Sequence, residues 1–158
     1  MYESTIEKIL KSDSTTGPQF LGVFALDELP PLLPVPPACF VFNTKPRAHS
    51  GEHWLAMHFD SDGRGTFFDP YGRSPEFYSH TISAYLNQHC AGRHRWKYSH
   101  RRIQGSSAYC GLYCTFYLLF TARHKQQQFF NSFGKNLFNN DKFIKNELKK
   151  RNIDADRL

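Results

Sequence analysis

The feature of this sequence that most constrains its fold is a run of fifteen residues, 108–122, without a charged side chain. A helix that spans a membrane needs about 20 predominantly apolar residues, whereas this shorter run also contains Gly111 and Thr115. Such a segment suits a helix that is buried on all sides in a protein core. We therefore predict a core helix over residues 110–122 and, at this chain length, one compact domain over residues 1–158.

Apolar patterning predicts the elements that surround this helix. Short apolar or alternating runs predict strands at Phe20–Phe24, Ala38–Asn43, Trp54–Phe59 and 66–68, with a strand-like stretch at 96–103. Apolar residues at helical spacing predict a helix near the N-terminus, a second at 79–88 and a basic third at 141–151. The polar runs 126–128 and 139–140 are typical of solvent-exposed linkers.

The polar segment 60–65 predicts a reversal between two of these strands, because its glycines and aspartates favour turn conformations. In a hairpin centred there, paired residue numbers add up to about 125. The numbers of His53 and Asp69 add up to 122, close to this value. A bulge or a frayed strand end accommodates the small shift in register. The sequence therefore predicts that the His53 imidazole and the Asp69 carboxylate lie close together across two strands.

Cys110 opens the predicted core helix and follows a Gln-Gly-Ser-Ser segment that begins at Gln104. A cysteine at such a place, taken alone, is most simply a small core residue. Beside an imidazolium and a helix N-terminus, however, a thiolate is stabilised and the pKa of the thiol falls. Cys110, His53 and Asp69 thus match a nucleophile, a base and a group that orients the base. The Gln104 amide and the Cys110 backbone N–H are the predicted donors to the oxyanion of acyl transfer.

Several short motifs occur in a specific order between residues 17 and 120. They are Gly17-Pro18, Phe20-Leu21-Gly22, Cys39 to Asn43-Thr44, Gly51-Glu52-His53-Trp54, Phe68-Asp69-Pro70-Tyr71-Gly72, Gln104-Gly105 and Ala108-Tyr109-Cys110-Gly111-Leu112. In order and spacing this set resembles the adenovirus proteinases, within the wider clan of ubiquitin-like-protein proteases. The resemblance is closer to members from virus-like DNA transposons (Mavericks or Polintons) or from divergent adenovirus relatives than to the mammalian adenovirus enzymes.

The resemblance implies an α+β fold of the permuted papain-like type, with a mixed central sheet, flanking helices and the nucleophile at the N-terminus of a buried helix. It implies a cysteine endopeptidase whose catalytic residues are His53, Asp69, Gln104 and Cys110, and whose substrate cleft includes Gly51, Glu52 and Trp54. It also implies cleavage of capsid or core precursor polypeptides during particle maturation, in the host nucleus and the virion interior. We expect the enzyme to be a monomer.

Two departures from the family pattern affect what is carried over. Adenovirus members usually have Glu where Asp69 stands, but Asp is usual in the wider clan, so the orienting role is kept. No cysteine matches the one to which the adenovirus enzyme attaches its activating peptide, so the need for such a peptide stays open. We expect the chemistry to require no cofactor and no metal, and we place Cys114, one helical turn after Cys110, in the core rather than at a zinc site.

Two other functions remain alternatives. A deubiquitinase or deSUMOylase-like isopeptidase uses the same catalytic groups, but it needs a broad surface for a folded substrate. The second alternative is an inactive relative that serves as a DNA-binding structural protein.

The charge balance favours an acidic partner. Lys and Arg number 20 against 14 Asp and Glu, a net charge of +6, which favours contact with nucleic acid or with acidic proteins. Basic and aromatic residues alternate over residues 93–102, a mixture that suits phosphate contact and base stacking but also a solvated surface. The resemblance adds DNA as an activator. The candidate nucleic-acid contacts are Arg93, Arg95, Lys97, Arg101 and Arg102.

The first ten residues carry Glu3, Glu7 and Lys8, and they lack the basic start and apolar core of a secretory signal. We therefore expect an intracellular protein that is not associated with membranes. The four cysteines are unevenly spread in a chain long enough to be stabilised by its core, which predicts free thiols rather than a disulfide framework.

Overall fold

The computed structural model describes residues 3–90 and 95–151. The helices are α1 (Glu3–Ser12), α2 (Pro75–Tyr78), α3 (His80–His89), α4 (Cys110–Thr121), α5 (Gln126–Asn131) and α6 (Leu137–Lys150). The strands are β1 (Phe20–Phe24), β2 (Ala38–Asn43), β3 (Trp54–Phe59), β4 (Gly65–Phe68) and β5 (Trp96–Tyr98). This mixture of elements confirms the expected α+β class.

The five strands form one mixed sheet in chain order, β1-β2-β3-β4-β5. The central strands β2, β3 and β4 are antiparallel, whereas β1 and β5 at the two edges run parallel to their neighbours. Parallel neighbours need a longer crossover than a hairpin provides. The proline-rich segment 25–37 makes this crossover between β1 and β2, and the segment with α2 and α3 makes it between β4 and β5.

Both faces of the sheet are covered, which explains why every residue of β2 is buried. Successive side chains of a strand point to opposite faces. Cys39 and Val41 therefore pack in the cluster with α4, and Phe40 and Phe42 pack in the cluster with α3. Full burial of one such apolar side chain contributes about 1.5–3 kcal/mol.

The predicted core helix is confirmed as α4. Every residue of α4 except Phe120 is buried, and the helix packs on the sheet face that includes Cys39 and Ala56. Over the described ranges 3–90 and 95–151, no helix combines the length and the hydropathy needed to cross a membrane.

Two expectations about the chain after the hairpin were wrong. The strand-like stretch at 96–103 is shorter, since β5 ends at Tyr98. The chain then leaves the sheet, because the backbone N–H groups of Ile103 and Gln104 both donate to the Pro70 carbonyl. The polar run 126–128 is the start of α5 and not a linker.

The last helix begins earlier than the sequence indicates. α6 starts at Leu137 because Asn136 caps it, with the Asn136 side chain accepting from the Asn139 N–H at 3.1 Å. Residues 139–140 therefore lie inside the helix, and Asn140 is buried. The expectation of an exposed linker there was wrong, because the side chain of Asn140 finds buried hydrogen-bond partners that the sequence does not display.

Candidate active site

A cleft of about 640 Å³ opens where three parts of the chain meet. These parts are the end of β2 with the loop before β3, the segment from the turn after β4 to α2, and the segment from Gln104 to the first residue of α4. The residues that line the cleft include His53, Gln104 and Cys110, together with Gly51, Glu52 and Trp54. Asp69 lies behind His53. The four predicted catalytic residues and the three predicted cleft residues are thus gathered in one place.

The hairpin of β3 and β4 brings His53 and Asp69 together. Its paired residue numbers add up to 124, as for Ala56 with Phe68, within one of the predicted value. His53 precedes β3 and Asp69 follows β4, so both side chains lie at the same end of the hairpin. The distance from His53 Nε2 to Asp69 Oδ1 is 2.7 Å, and both side chains are buried.

The Asp69 carboxylate accepts hydrogen bonds from four groups. Oδ1 accepts from the Tyr71 N–H at 2.9 Å as well as from His53. Oδ2 accepts from the Arg73 N–H at 3.2 Å and from the Tyr78 hydroxyl at 2.6 Å. Donors of this kind favour the charged form of a carboxylate. These four hydrogen bonds hold the Asp69 carboxylate in a fixed position beside the imidazole.

Cys110 and His53 form the second pair of the site. The Cys110 thiol is hydrogen-bonded to the His53 ring, and Nδ1 is the ring nitrogen left for it because Nε2 faces Asp69. Burial raises the pKa of the Cys110 thiol, but the hydrogen bond and charge of His53, with the backbone of Trp54, outweigh burial and lower that pKa. Burial lowers the pKa of His53, but the hydrogen bonds to Asp69 and Cys110 outweigh it and raise that pKa to about 9. Each member of the pair therefore favours the charged form of the other, a thiolate beside an imidazolium.

Gln104 is buried in the wall of the cleft. Its amide Nε2 donates one hydrogen bond to the Ser107 carbonyl at 2.8 Å, which leaves a second amide hydrogen for another acceptor. Cys110 is the first residue of α4, so its backbone N–H has no acceptor within the helix. Two hydrogen-bond donors therefore border the cleft at Cys110.

A model of the adenovirus endoprotease family matches residues 20–149. The chain belongs to this family. It is 34% identical over 123 residues to a protease of Human adenovirus B serotype 3. That alignment covers 70% of this chain and 58% of the adenovirus protease, so the chain spans a little over half the length of this relative.

Two solved structures are similar to this chain. The central domain of an uncharacterized protein from Legionella pneumophila has a TM-score of 0.53 and 15% identity, and the match covers 96% of each chain. At that identity the likeness concerns the fold alone. A crystal structure of an ASFV protease has a TM-score of 0.36 and 26% identity, and it covers 58% of this chain and 37% of the other.

Two residues near the site of this adenovirus endoprotease relative were not predicted to be site residues. Asn43, at the end of β2, accepts from the backbone N–H groups of Lys45 at 3.0 Å and Glu52 at 3.3 Å, and so fixes the loop before His53. Tyr78 ends α2, a helix that the sequence did not predict. A polar residue at a strand end was a usable signal for Asn43, whereas the contact of Tyr78 depends on how α2 packs.

The four candidate nucleic-acid contacts that lie within the described residues do not share one surface. Arg93 lies outside the described residues. Arg101 donates to the main-chain carbonyls of Phe130 and Phe133. Arg102 donates to the Gln104 carbonyl at 2.9 Å.

Arg95 and Lys97 face a different region from Arg101 and Arg102. They line a second cavity of about 500 Å³, together with Arg64 and His124. Basic side chains thus converge on this cavity, and only two of them belong to the run predicted from the sequence.

Cys114 lies one turn after Cys110 and is fully buried, as expected for a core residue. Its thiol donates to the Trp54 carbonyl at 3.4 Å, and burial raises the pKa of Cys114 well above its ordinary value. The two thiols thus shift in opposite directions, since the contact with His53 lowers the pKa of Cys110. Within residues 3–90 and 95–151, no group of three His, Cys, Asp or Glu side chains is arranged to hold a metal ion.

Proposed function

We propose that this chain is a cysteine endopeptidase with a Cys110–His53–Asp69 triad and an oxyanion site that includes Gln104. One observation carries the proposal. His53 is buried between the Asp69 carboxylate, 2.7 Å from Nε2, and the Cys110 thiol at the start of α4, and all three groups meet at one cleft. This is the arrangement in which a thiol becomes a nucleophile near neutral pH.

In the proposed reaction the Cys110 thiolate attacks the scissile carbonyl carbon, and the carbonyl π electrons move to the oxygen. His53 gives its proton to the leaving amine as the C–N bond breaks, which leaves a thioester on Cys110. Neutral His53 then takes a proton from water, and the hydroxide formed releases the acid and restores the thiolate. Asp69 keeps the imidazole oriented and stabilises its charged form through both acylation and deacylation.

The oxygen that becomes negative during attack needs donors that are already in place. The backbone N–H of Cys110 and the free amide hydrogen of Gln104 supply them in this proposal. Loss of one such donor typically lowers the rate by ~10²–10³.

The proposed substrates are capsid or core precursor polypeptides that are cleaved during particle maturation, in the host nucleus and the virion interior. Family membership and the protease of the adenovirus relative support this substrate class. The cleft supports it as well, since about 640 Å³ at the thiolate accommodates several residues of an extended peptide.

The proposal is tested by incubating the chain with candidate structural polyproteins from the same source. The new termini of the products are then mapped. We expect discrete cuts with the unaltered chain and none with Cys110→Ala. Cys90→Ala is the matched control, because it also removes a buried thiol, but from the opposite sheet face. Activity that survives Cys110→Ala contradicts the assignment of the nucleophile.

Ubiquitin-like and SUMO-like fusion proteins make the second arm of the same experiment. Cleavage of these fusions without cleavage of the structural polyproteins favours the isopeptidase alternative. The inactive alternative predicts that neither substrate is cut and that iodoacetamide does not select Cys110 near neutral pH.

DNA is the proposed partner besides the substrate, and it is also the proposed activator. The net charge of +6 and the cavity lined by Arg64, Arg95 and Lys97 support this part of the proposal. An activating peptide is not part of it.

A further inference from the structure

The loop that carries Gln104 is held from one side by α6. Two buried residues of that helix, Asn140 and Asp141, reach the peptide groups on either side of Gln104. Asn140 Nδ2 donates to the Ile103 carbonyl at 3.0 Å, and the Gly105 N–H donates to Asp141 Oδ1 at 3.1 Å. α6 therefore holds the loop by hydrogen bonds to Ile103 and Gly105, the two residues next to Gln104.

The two peptide groups that flank Gln104 have four polar atoms, and the other two are the N–H and the carbonyl oxygen of Gln104 itself. Both of these atoms are also hydrogen-bonded. The Gln104 N–H donates to the Pro70 carbonyl at 3.1 Å. The Gln104 carbonyl accepts from Arg102 Nε at 2.9 Å. With both flanking peptide planes fixed, the backbone angles of Gln104 are fixed, and so is the direction in which its side chain leaves the backbone.

Asp141 also joins the Gln104 loop to the helix of the nucleophile. The Tyr113 hydroxyl donates to Asp141 Oδ1 at 2.7 Å, the oxygen that accepts from Gly105. Tyr113 lies three residues after Cys110, one turn along α4. Burial and the contact with Asp141 raise the pKa of the Tyr113 phenol far above its ordinary value, so the hydroxyl keeps its proton and donates. One carboxylate oxygen thus sets the spacing between α4 and the loop.

Gly105 lets the carboxylate come this close. A Cβ atom at Gly105 would lie 2.6 Å from Asp141 Oδ2, nearer than real Cβ contacts. The close approach therefore requires glycine at this position.

We propose that Asp141, assisted by Asn140, is a positioning residue that holds the Gln104 amide in register with the Cys110 N–H. The proposal rests on the proposed function, because it assigns a task to the second oxyanion donor of that reaction. Neither residue touches the reacting atoms, and both act through the Gln104 loop. A displacement of about 1 Å at such a distance from the chemistry can cost ~10² in rate.

Two reactions of Cys110 separate this role from a general effect on the thiolate. p-Nitrophenyl acetate acylates the thiolate through an oxyanion, and p-nitrophenolate leaves. Iodoacetamide alkylates the same thiolate with loss of iodide and forms no oxyanion. We expect Asp141→Ala to slow acylation roughly 10- to 100-fold. This loss is no greater than the ~10²–10³ expected for Gln104→Ala, which removes the donor itself. The alkylation rate should stay unchanged. Asn139→Ala, an exposed neighbour on α6, is the matched control and changes neither rate.

The order of action is tested by combining substitutions. If Asp141 acts only through Gln104, Asp141→Ala slows acylation in the unaltered chain but adds nothing in the Gln104→Ala background. Asp141→Asn keeps a side-chain oxygen for Gly105 and Tyr113, so we expect it to restore most of the acylation rate. Should Asp141→Ala fail to fold, Tyr113→Phe takes its place with a smaller loss of acylation and the same unchanged alkylation.

Equal acylation rates in the unaltered chain and in Asp141→Ala overturn the inference and leave the proposed function standing. Losses that are additive with Gln104→Ala also overturn it. A parallel drop in acylation and alkylation shows a general effect on the thiolate and overturns it as well. Failure of the unaltered chain to react selectively at Cys110 is a different result, since it contradicts the proposed function itself.

Discussion

At the scale of single residues, the site depends on a buried imidazole with an anion at each ring nitrogen. Burial alone would lower the pKa of His53 and favour its neutral form, yet Asp69 and Cys110 raise this pKa to about 9. The same contact lowers the pKa of Cys110. The thiolate–imidazolium pair therefore exists between these two pKa values, and it is lost when either group changes protonation.

The pH dependence of peptide cleavage follows from these directions. We expect kcat/KM to fall above about pH 9, where His53 loses the proton that the leaving amine needs. In Asp69→Asn the anion that raises this pKa is gone while the burial that lowers it stays, so the alkaline limb moves to lower pH. Rate profiles from pH 5 to 10 measure the alkaline limb and the acid limb, on which Cys110 gains a proton. An alkaline limb that stays in place in Asp69→Asn would contradict this account of the His53 pKa.

Tyr78 offers a milder test of the same carboxylate. Tyr78→Phe removes one of the four donors to Asp69 and keeps its charge and its bond to His53. We expect kcat to fall about 10-fold, much less than the ~10⁴ seen when an orienting aspartate is replaced by asparagine in a serine-protease triad. The alkaline limb of the profile should stay near that of the unaltered chain. Tyr85→Phe is the matched control, because it also removes a phenol hydroxyl, one that donates to the Pro30 carbonyl outside the cleft.

At the scale of elements, the sequence predicts what local patterns determine. The uncharged run 108–122 predicts α4, and the turn after Phe59 predicts the pairing that joins His53 to Asp69, because both signals lie within a few residues. The buried contacts of Asn140 and Asp141 could not be predicted, because polar residues indicate exposure until their buried partners are known. Those partners lie more than 30 residues away in the chain.

The cap of α6 shows how a boundary is missed and how to test it. Asn136 accepts from the Asn139 N–H, so Asn136→Ala leaves that donor without its side-chain acceptor. We expect the free energy of unfolding to fall by about 1 kcal/mol in urea titrations. Asn146→Ala, exposed in the middle of the same helix, should instead be neutral or stabilising by a few tenths of a kcal/mol because alanine favours helix interiors. Equal effects of the two substitutions would contradict the capping role.

At the scale of the whole molecule, the fold separates the candidate active-site cleft from the cavity lined by Arg64, Arg95 and Lys97. The cleft lies at one end of the β3–β4 hairpin, beyond Trp54 and Phe68. The cavity with Arg64, Arg95 and Lys97 lies at the turn end of the same hairpin, beside Gly65. A polyanion at the second cavity would leave the first open to a peptide, so DNA binding and cleavage are compatible on one molecule.

The proposed DNA contact has a quantitative signature. Binding that releases counterions weakens steeply with salt, and removing one side chain that binds a phosphate lowers the slope of log K against log salt by about 1. We expect Arg95→Ala and Lys97→Ala each to lower the slope in this way in fluorescence anisotropy, equally for unrelated DNA sequences. Lys8→Ala, an exposed lysine of α1 outside that cavity, removes the same charge and should leave the slope almost unchanged. A decrease shared by all three variants would assign the effect to net charge alone, and a flat salt response of the unaltered chain would remove DNA as a partner.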